Sequence, residues 1–204
     1  MSSARVVSVW LVVVVVVSVG LGPAVVDEAT AQSQPSADTT VTRIELDADG
    51  DARWTVQVRT ALDDEEDVER YRAFQESFRN DSTAFLDAFE TRITGTVRTA
   101  ATETGREMAA EEFAISTSIQ EVPRRWGVVT YTFTWTNFAV RDGARLVVGD
   151  VFGTGFFLTE NDSLELVAPP DYVFRSVEAD PTSRGAGVFA SQRRAAFSAA
   201  HPRA

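Results

Sequence analysis

Two adjacent arginines followed by a tryptophan, Arg124-Arg125-Trp126, form the sequence feature best suited to binding a small molecule. A guanidinium group donates paired hydrogen bonds to carboxylates and phosphates, and the face of an aromatic ring attracts cations. The triplet is therefore a candidate binding spot for a small anion or a sugar. The alternative, which we favour, is that both arginines pair with surface carboxylates while Trp126 packs inward.

Asn80 and Asn161 each begin an N-x-S sequence, which makes them candidate N-glycosylation sites. Each falls where a periodic pattern of apolar residues is interrupted, so we expect both side chains at the surface. Such three-residue sequences also arise by chance, and the motif alone does not establish modification.

Three aspartates, Asp47, Asp49 and Asp51, have the spacing of the first three calcium ligands in an EF-hand loop. The rest of that motif is missing, because Ala52 stands where a sharp turn requires glycine and Val58 stands where a bidentate carboxylate closes the site. We therefore interpret the segment as an ordinary hairpin turn and predict no metal site there.

The inventory of catalytic side chains is short, because the chain has no cysteine, no lysine and only one histidine, His201. Disulfides and lysine Schiff bases are excluded, and neither a Ser-His-Asp triad nor a histidine metal site is plausible. We predict a non-catalytic protein without cofactor or metal. The weakest alternative is a carboxylate-dependent hydrolase, since 30 acidic residues leave a catalytic pair open.

The charge balance is strongly acidic, with a net charge of -11, and all 19 basic residues are arginine. A negative surface repels phosphate backbones, so we expect no nucleic-acid partner. The composition is typical of proteins from halophilic archaea, where concentrated salt screens the repulsion among carboxylates. A GC-rich genome that favours arginine codons is the alternative explanation.

Residues 1–31 have the features of a signal peptide. Arg5 precedes an apolar stretch that contains Val12–Val17, and an A-x-A pattern ends at Ala31. We expect cleavage between Ala31 and Gln32, with an uncleaved membrane anchor as the alternative. Both place the rest of the chain outside the cytoplasm, by the positive-inside rule, and the chain meets the membrane only through this segment if it stays attached. Residues 32–39 are polar and predict a linker.

Alternating apolar and polar residues predict two β-hairpins in a domain spanning residues 40–180. The first is Thr40–Thr60, and the second joins strands around Phe113–Ile119 and Val129–Trp135. Shorter strands are expected at Arg145–Val148, Phe156–Leu158, Leu164–Val167 and Tyr172–Val177.

Between the hairpins, apolar residues recur every three or four positions, which predicts two helices or one long helix broken near Asn80. Asp63 or Asp64 can cap the start and Gly105 can end the segment. The fold class is therefore α+β, an antiparallel sheet with the helical segment inserted between hairpins. The residues expected to face the core are Val68, Tyr71, Phe74, Phe78, Phe85, Leu86, Phe89, Ile93 and Val97.

Acidic residues are frequent up to Asp180 and absent afterwards, whereas Arg184, Arg193, Arg194 and Arg203 follow without periodicity. We interpret residues 181–204 as a disordered tail, and the change in composition suggests the truncated or frame-shifted end of a longer gene.

Four stretches resemble a family of uncharacterised extracytoplasmic domains of halophilic archaea: Arg43–Thr60, Tyr71–Asp81, Ser116–Ala139 and Leu146–Phe152. In some members of that family, the domain precedes a transmembrane helix and a cytoplasmic helix-turn-helix regulator domain. The resemblance implies a binding or sensory role and brings no catalytic motif. This chain departs from the longer pattern, because nothing after Asp180 is apolar enough to span a membrane.

The sequence therefore favours a non-catalytic exported domain of the cell envelope that binds or senses an envelope ligand or protein. A structural surface glycoprotein is the first alternative, supported by the two N-x-S sequences and the acidic surface. The carboxylate-dependent hydrolase is the second.

Overall fold

The computed structural model of the chain describes residues 34–148, 151, 161–177, 183–185, 188–191 and 197–200. The predicted leader, its cleavage site at Ala31 and Gln32, and the predicted strand Phe156–Leu158 lie outside the described residues. Within the described ranges, neither helix combines the length and the hydropathy that a bilayer span requires.

The first predicted hairpin is confirmed as β1 (Thr39–Leu46) and β2 (Ala52–Ala61), which pair antiparallel along the whole of β1. In the connecting turn, the Gly50 N–H donates to the Asp47 carbonyl at 3.1 Å. Gly50 has a φ of +103°, and a side chain there would meet the Ala139 carbonyl oxygen at 2.8 Å. Only glycine fits this turn, for both reasons.

Part of the predicted linker contacts the folded domain. The Tyr131 hydroxyl donates to Gln34 Oε1 at 2.8 Å, and the Ala61 N–H donates to the Asp38 carboxylate at 2.8 Å. β1 also begins at Thr39, one residue inside the predicted linker. These contacts could not be predicted from the sequence, because they are made by polar groups that leave no apolar pattern.

The helical segment forms two helices, α1 (Glu65–Asn80) and α2 (Thr83–Thr104). Of the two predicted caps, Asp64 starts α1, and its carboxylate accepts the Asp67 N–H at 2.9 Å. Gly105 ends α2 in the left-handed conformation, with a φ of +68°, as its position predicts.

The predicted buried face is complete in α1 and partial in α2. All four predicted core residues of α1 are buried, whereas Phe85, Leu86 and Ile93 of α2 are only half-buried. A physical reason is the position of α2, which packs on β3 (Ala110–Gln120), a strand at one edge of the sheet, and therefore covers less surface than a helix over the middle.

The second predicted hairpin is confirmed as β3 (Ala110–Gln120) and β4 (Trp126–Trp135). Its register shifts between Glu111 and Ala114, where Glu112 adopts a positive φ of 54°. This irregularity is a β-bulge, which bends the start of β3.

The α+β class is confirmed by a sheet of seven strands in the order β3-β4-β2-β1-β7-β10-β9 and a sheet of four in the order β5-β6-β11-β8. β7 runs parallel to β1, and the other described pairings are antiparallel. The remaining strands are β5 (Val140–Asp142), β6 (Arg145–Val148), β7 (Ser163–Val167), β8 (Val173–Val177), β9 (Ser183–Gly185), β10 (Val188–Ser191) and β11 (Phe197–Ala200).

The prediction that residues 181–204 are disordered is wrong for the three strands that lie there. β10 pairs with β7, with Phe189 opposite Leu166, and β11 lies between β6 and β8. These strands form although their own sequence shows no clear alternation. The backbone groups along the edges of β7, β6 and β8 supply hydrogen-bond partners to whichever segment lies beside them.

One face of the seven-stranded sheet, the core face, is covered by both helices. Phe89 of α2 stacks on Tyr131 with ring centroids 4.3 Å apart. Tyr71 of α1 lies over Gly127, where an added Cβ would come within 2.4 Å of the ring. Burial of each large side chain on this face contributes about 1.5–3 kcal/mol. The core face comprises Ile44, Leu46, Trp54, Val129, Tyr131, Phe133, Trp135, Leu164 and Leu166, all buried.

Candidate functional site

The two arginines of the predicted binding spot are engaged by carboxylates of the chain itself. Arg124 donates to Asp63 Oδ1 through Nε at 3.2 Å and Nη2 at 2.5 Å. Arg125 donates to Glu65 Oε1 and to Glu121 Oε2, each at 3.0 Å. The hydrogen bond to Glu65, followed by that to Glu121, raises the pKa of Arg125 above its usual value. An external anion would have to compete with these internal partners.

Trp126 is also occupied, because the guanidinium carbon of Arg124 lies 5.0 Å from its ring centroid. The indole is half-buried at the first position of β4. Asp63 precedes α1 and Glu65 is its first residue, so these contacts hold the tip of the β3–β4 hairpin against the start of the helix. The structure thus gives Arg124, Arg125 and Trp126 a shared set of internal contacts.

The first glycosylation candidate, Asn80, is the exposed last residue of α1. The next residue, Asp81, keeps the turn between the helices in place: its N–H donates to the Ser77 carbonyl, and its carboxylate accepts the Thr83 N–H, both at 3.1 Å. The Asn80 amide therefore projects from a well-defined surface turn.

The second candidate, Asn161, is exposed just before β7. Its carbonyl accepts a hydrogen bond from the Thr39 hydroxyl, and the Asp162 carboxylate accepts the Thr40 N–H at 2.8 Å. The backbone of this N-x-S sequence is thus fastened to the start of β1, while its asparagine faces solvent.

In the β1–β2 turn, the carboxylates of Asp49 and Asp51 accept hydrogen bonds from backbone N–H groups. Asp49 accepts the Asp51 N–H at 3.1 Å, and Asp51 accepts the Asn137 N–H at 2.8 Å. Burial, with smaller contributions from the neighbouring Asp49 and Asp51, raises the pKa of Asp47 above its usual value. These contacts are those of a hairpin turn. The described residues contain no group of three or more acidic or histidine side chains placed to hold a metal ion.

The exposed side of α1 carries an open depression lined by Glu69, Arg72, Ala73, Gln75, Glu76 and Arg79. Its two carboxylates are seven residues apart on the helix, which separates their backbones by about 10 Å along the axis. The carboxyl groups of glycosidases lie about 5–9.5 Å apart across the scissile bond. Open to solvent and built from one helix, this depression does not resemble a hydrolase cleft.

The face of the large sheet opposite the helices, the polar face, is the most extensive candidate surface. Its side chains alternate along β1–β4 and β7 with those of the core face, so the pairing of the strands aligns them in rows. One row runs across five strands through Ala114, Thr132, Thr55, Arg43 and Glu165. The other polar members are Ser116, Ser118, Thr130, Thr134, Arg53, Gln57, Arg59 and Glu45.

Charged groups occupy one half of the polar face. Arg43 Nη1 lies 2.6 Å from Glu165 Oε1, and its Nη2 lies 3.2 Å from Glu45 Oε1. The hydrogen bond to Glu165 is the main cause that raises the pKa of Arg43 above its usual value. Arg59 donates to Gln57 at 2.6 Å on the neighbouring strand. The half formed by β3 and β4 presents mainly hydroxyl groups, which both donate and accept hydrogen bonds. Its charged member is Glu112, which accepts the Thr134 hydroxyl at 2.8 Å and lies 3.6 Å from Arg53 Nη2.

Sequence reasoning predicted the alternation of apolar and polar residues in Val129–Trp135 but missed the polar face as a whole. The missing information was the order of the strands, because Glu165 and Arg43 are far apart in the sequence and meet only through the parallel pairing of β7 with β1. The signal available in the sequence was the alternation within each strand, which specifies a polar side but not its neighbours.

Comparison with protein families gives one match: the family model of a domain of unknown function, DUF7345, matches residues 43–172, more than half of the chain. The matched region begins in β1 and ends before β8, so it contains most of the first hairpin, all of the second, both helices and all of β7. No curated protein matches the chain.

Proposed function

We propose, from the premise that this chain belongs to the DUF7345 family, that it is a non-catalytic domain that binds an envelope ligand outside the cell. The observation that carries the proposal is the polar face, a five-strand array of hydroxyls and ion-paired side chains that are partly exposed, although Val128 on the same face is buried. A surface of this kind suits recognition by many weak polar contacts rather than chemistry at one point.

The geometry of the polar face favours an extended ligand. Neighbouring strands are about 4.8 Å apart, and successive side chains on one face are about 6.6 Å apart along a strand. The hydroxyls of Thr130, Thr132, Ser116 and Thr55 therefore form a flat grid of donors and acceptors. An extended polymer that carries hydroxyl or amide groups, such as an envelope glycan or an extended peptide, matches that grid.

The extracytoplasmic location in the proposal is supported by the leader at residues 1–31, with its basic start, valine-rich middle and A-x-A end. A halophilic archaeal source is part of the proposal and is supported by the net charge of -11 and the absence of lysine. If the binding role is sensory, the protein would transmit ligand binding to a regulator domain inside the cell, as the resemblance to the archaeal family implies.

Binding can be tested with Gln32–Ala204, which forms one compact unit, and with cell envelopes isolated from the host. We expect saturable binding that Thr132→Glu abolishes, because a charge at the centre of the hydroxyl grid opposes a neutral polar ligand. The matched control, Ala73→Glu, adds the same charge to the exposed side of α1 and should bind as the wild type does. Absence of saturable binding, or equal loss in both variants with unchanged thermal stability, would refute the proposal.

Location can be tested separately because the chain has no cysteine. A single Ala73→Cys variant, expressed with its leader in a haloarchaeal host, should react with a membrane-impermeant maleimide in intact cells. The control lacks residues 1–31 and should react only after lysis. Labelling of the leader-containing protein only after lysis would show that it remains inside.

A second candidate function is a structural surface glycoprotein, favoured by the exposure of Asn80 and Asn161. Intact-mass measurement on protein from the native host should then show added glycan mass that is reduced by Asn80→Gln or Asn161→Gln. A mass equal to that of the unmodified mature chain would remove this candidate.

A further inference from the structure

β3 forms one edge of the seven-stranded sheet, and β9 forms the other. β9 has three residues, whereas β3 has eleven. Beyond the bulge at Glu112, the segment Ala114–Gln120 pairs with β4 on one side only. We call this segment the β3 edge.

The outer backbone groups of the β3 edge are unpaired within the part of the chain that the structure describes. The backbone hydrogen bonds of residues 114–120 there are those of the β3–β4 ladder, and the side-chain contact of Thr117 with Gln75 does not use the backbone. In a strand, alternate residues direct their N–H and C=O groups to the outer side. The β3 edge therefore presents a row of free donors and acceptors.

Sequence features that usually protect such an edge are missing from this one. Natural edge strands are shielded by lysine, proline, inward-pointing charges or a bulge. Residues 114–120 read AISTSIQ and contain neither a charge nor a proline. The bulge at Glu112 lies before the segment and leaves the following seven residues regular.

The side chains of the β3 edge also allow a second strand to approach. On the polar face they are small and exposed, namely Ala114, Ser116 and Ser118. On the core face, Ile115 and Ile119 are only half-buried, and β3 is an edge among the described strands. A neighbouring strand would bury the remaining apolar surface of both isoleucines.

We propose that the β3 edge pairs antiparallel with the β3 edge of a second copy of this chain, which joins the two sheets into one. Antiparallel pairing of a strand with its own copy satisfies a two-fold axis, which would pass near Thr117, the middle of the segment. Pairing about Thr117 places Ser116 of one copy opposite Ser118 of the other, so small side chains meet on the polar face.

The sequence of the β3 edge favours this occupant over an unrelated peptide. The five residues Ile115–Ile119 read the same in both directions about Thr117, so antiparallel pairing there places isoleucine opposite isoleucine and serine opposite serine. Charges beyond the segment play no part in this choice, because Arg124 and Arg125 already pair with acids of their own chain.

The test is sedimentation of Gln32–Ala204 at about 0.15 M and at about 1 M salt, the second of which screens the net negative charge of each copy. We expect a dimer for the wild type. The double variant Ser116→Glu, Ser118→Glu places like charges opposite each other twice, which should weaken dimerisation about tenfold at the lower salt concentration. The control Ala73→Glu, Ala88→Glu adds the same charge to exposed helix positions and should remain dimeric.

A second measurement tests the axis directly. Thr117→Cys is the sole cysteine of that variant, and it should form a disulfide-linked dimer under mild oxidation, because facing residues in a strand pair have Cβ atoms about 4.5–5.5 Å apart. Ala73→Cys, on the exposed side of α1, should not. A monomeric wild type would overturn the proposal and leave the edge to another protein, and a dimer unaffected by the serine substitutions would place the interface elsewhere.

Discussion

The two faces of the seven-stranded sheet are built from alternate residues of the same strands, yet they differ in almost every physical respect. On the core face, Trp54 stacks on Phe133 with ring centroids 5.5 Å apart and on Trp135 at 5.7 Å. On the polar face, Thr55 and Thr132 stand opposite each other beside ion-paired Arg43. Neighbours in sequence thus serve stability on one side and, in our proposal, recognition on the other.

The comparison teaches where the protein can tolerate change. A large ring on the core face contacts other rings on several sides, so its removal leaves a cavity. A hydroxyl on the polar face exchanges hydrogen bonds with water at little net free energy. Substitutions one residue apart should therefore separate folding from binding.

The largest expected effect is that of Phe133→Ala. Phe133 contacts Trp54, Phe89 and Phe113, so truncation should lower the free energy of unfolding by about 3–5 kcal/mol. Urea denaturation measures the change. Thr132→Ala, the adjacent residue on the other face, should change it by less than about 0.5 kcal/mol. Equal losses for the two variants would contradict the division between the faces.

Gly127→Ala should have the next largest effect, because the new methyl group would lie 2.4 Å from the Tyr71 ring. Overpacking of this kind lowers the free energy of unfolding by about 1–3 kcal/mol. In a double-mutant cycle with Tyr71→Leu, the combined loss should be smaller than the sum of the single losses, since the smaller side chain makes room. Additive losses would show that α1 does not press on β4 at this point.

Substitution of an ion pair on the polar face should have a small effect. Glu165→Gln removes the main charge partner of Arg43, yet both side chains are about one-third exposed, so we expect a loss of at most about 1 kcal/mol. The loss should shrink in molar salt, which screens exposed charges. Denaturation at low and high salt measures this; Glu69→Gln on α1 is the control. A large loss in the free energy of unfolding that does not depend on salt would show that the Arg43–Glu165 pair is shielded from water.

The smallest expected change in stability concerns Asp47, in the β1–β2 turn. Glu165 pairs with Arg43, whereas Asp47 lies close to other acidic residues. Its pKa is raised by burial and by Asp49 and Asp51, so the folded state disfavours its charged form. That penalty is absent below the usual pKa of an aspartate and develops as pH rises through the raised pKa.

Asp47→Asn should therefore increase the free energy of unfolding at neutral pH, by about 0.3 kcal/mol after allowance for solvent screening. The gain should vanish in acid, where wild-type Asp47 is protonated. Thermal denaturation between pH 3 and pH 7 (about one unit below the usual aspartate pKa to well above it) checks the sign. A gain that persists in acid would point to a cause other than charge.

Much of the fold could be predicted from local patterns. The alternation in Thr40–Thr60 and around Val129–Trp135 predicted both hairpins, and the three-to-four periodicity from Val68 to Val97 predicted the helices. Asp64 and Gly105 marked helix ends because capping depends on residues within one turn. The leader and its cleavage at Ala31 stay a prediction.

The candidate site was less predictable. Arg124 and Arg125 attracted attention as a binding motif, yet their partners Asp63 and Glu65 come from another element about sixty positions away. The strands of the last residues were missed, because β10 and β11 are placed by the edges they pair with rather than by their own composition.

The sequence by itself determined which residues of the two hairpins face the core, roughly where the helical segment begins and ends, and which catalytic side chains the chain lacks. The tertiary structure alone decided that β7 lies parallel to β1, that five strands share one polar face, and that β3 is left at an edge. The physical reason is that side-chain periodicity is local, whereas strand partners are joined by backbone hydrogen bonds, which are the same for nearly every residue.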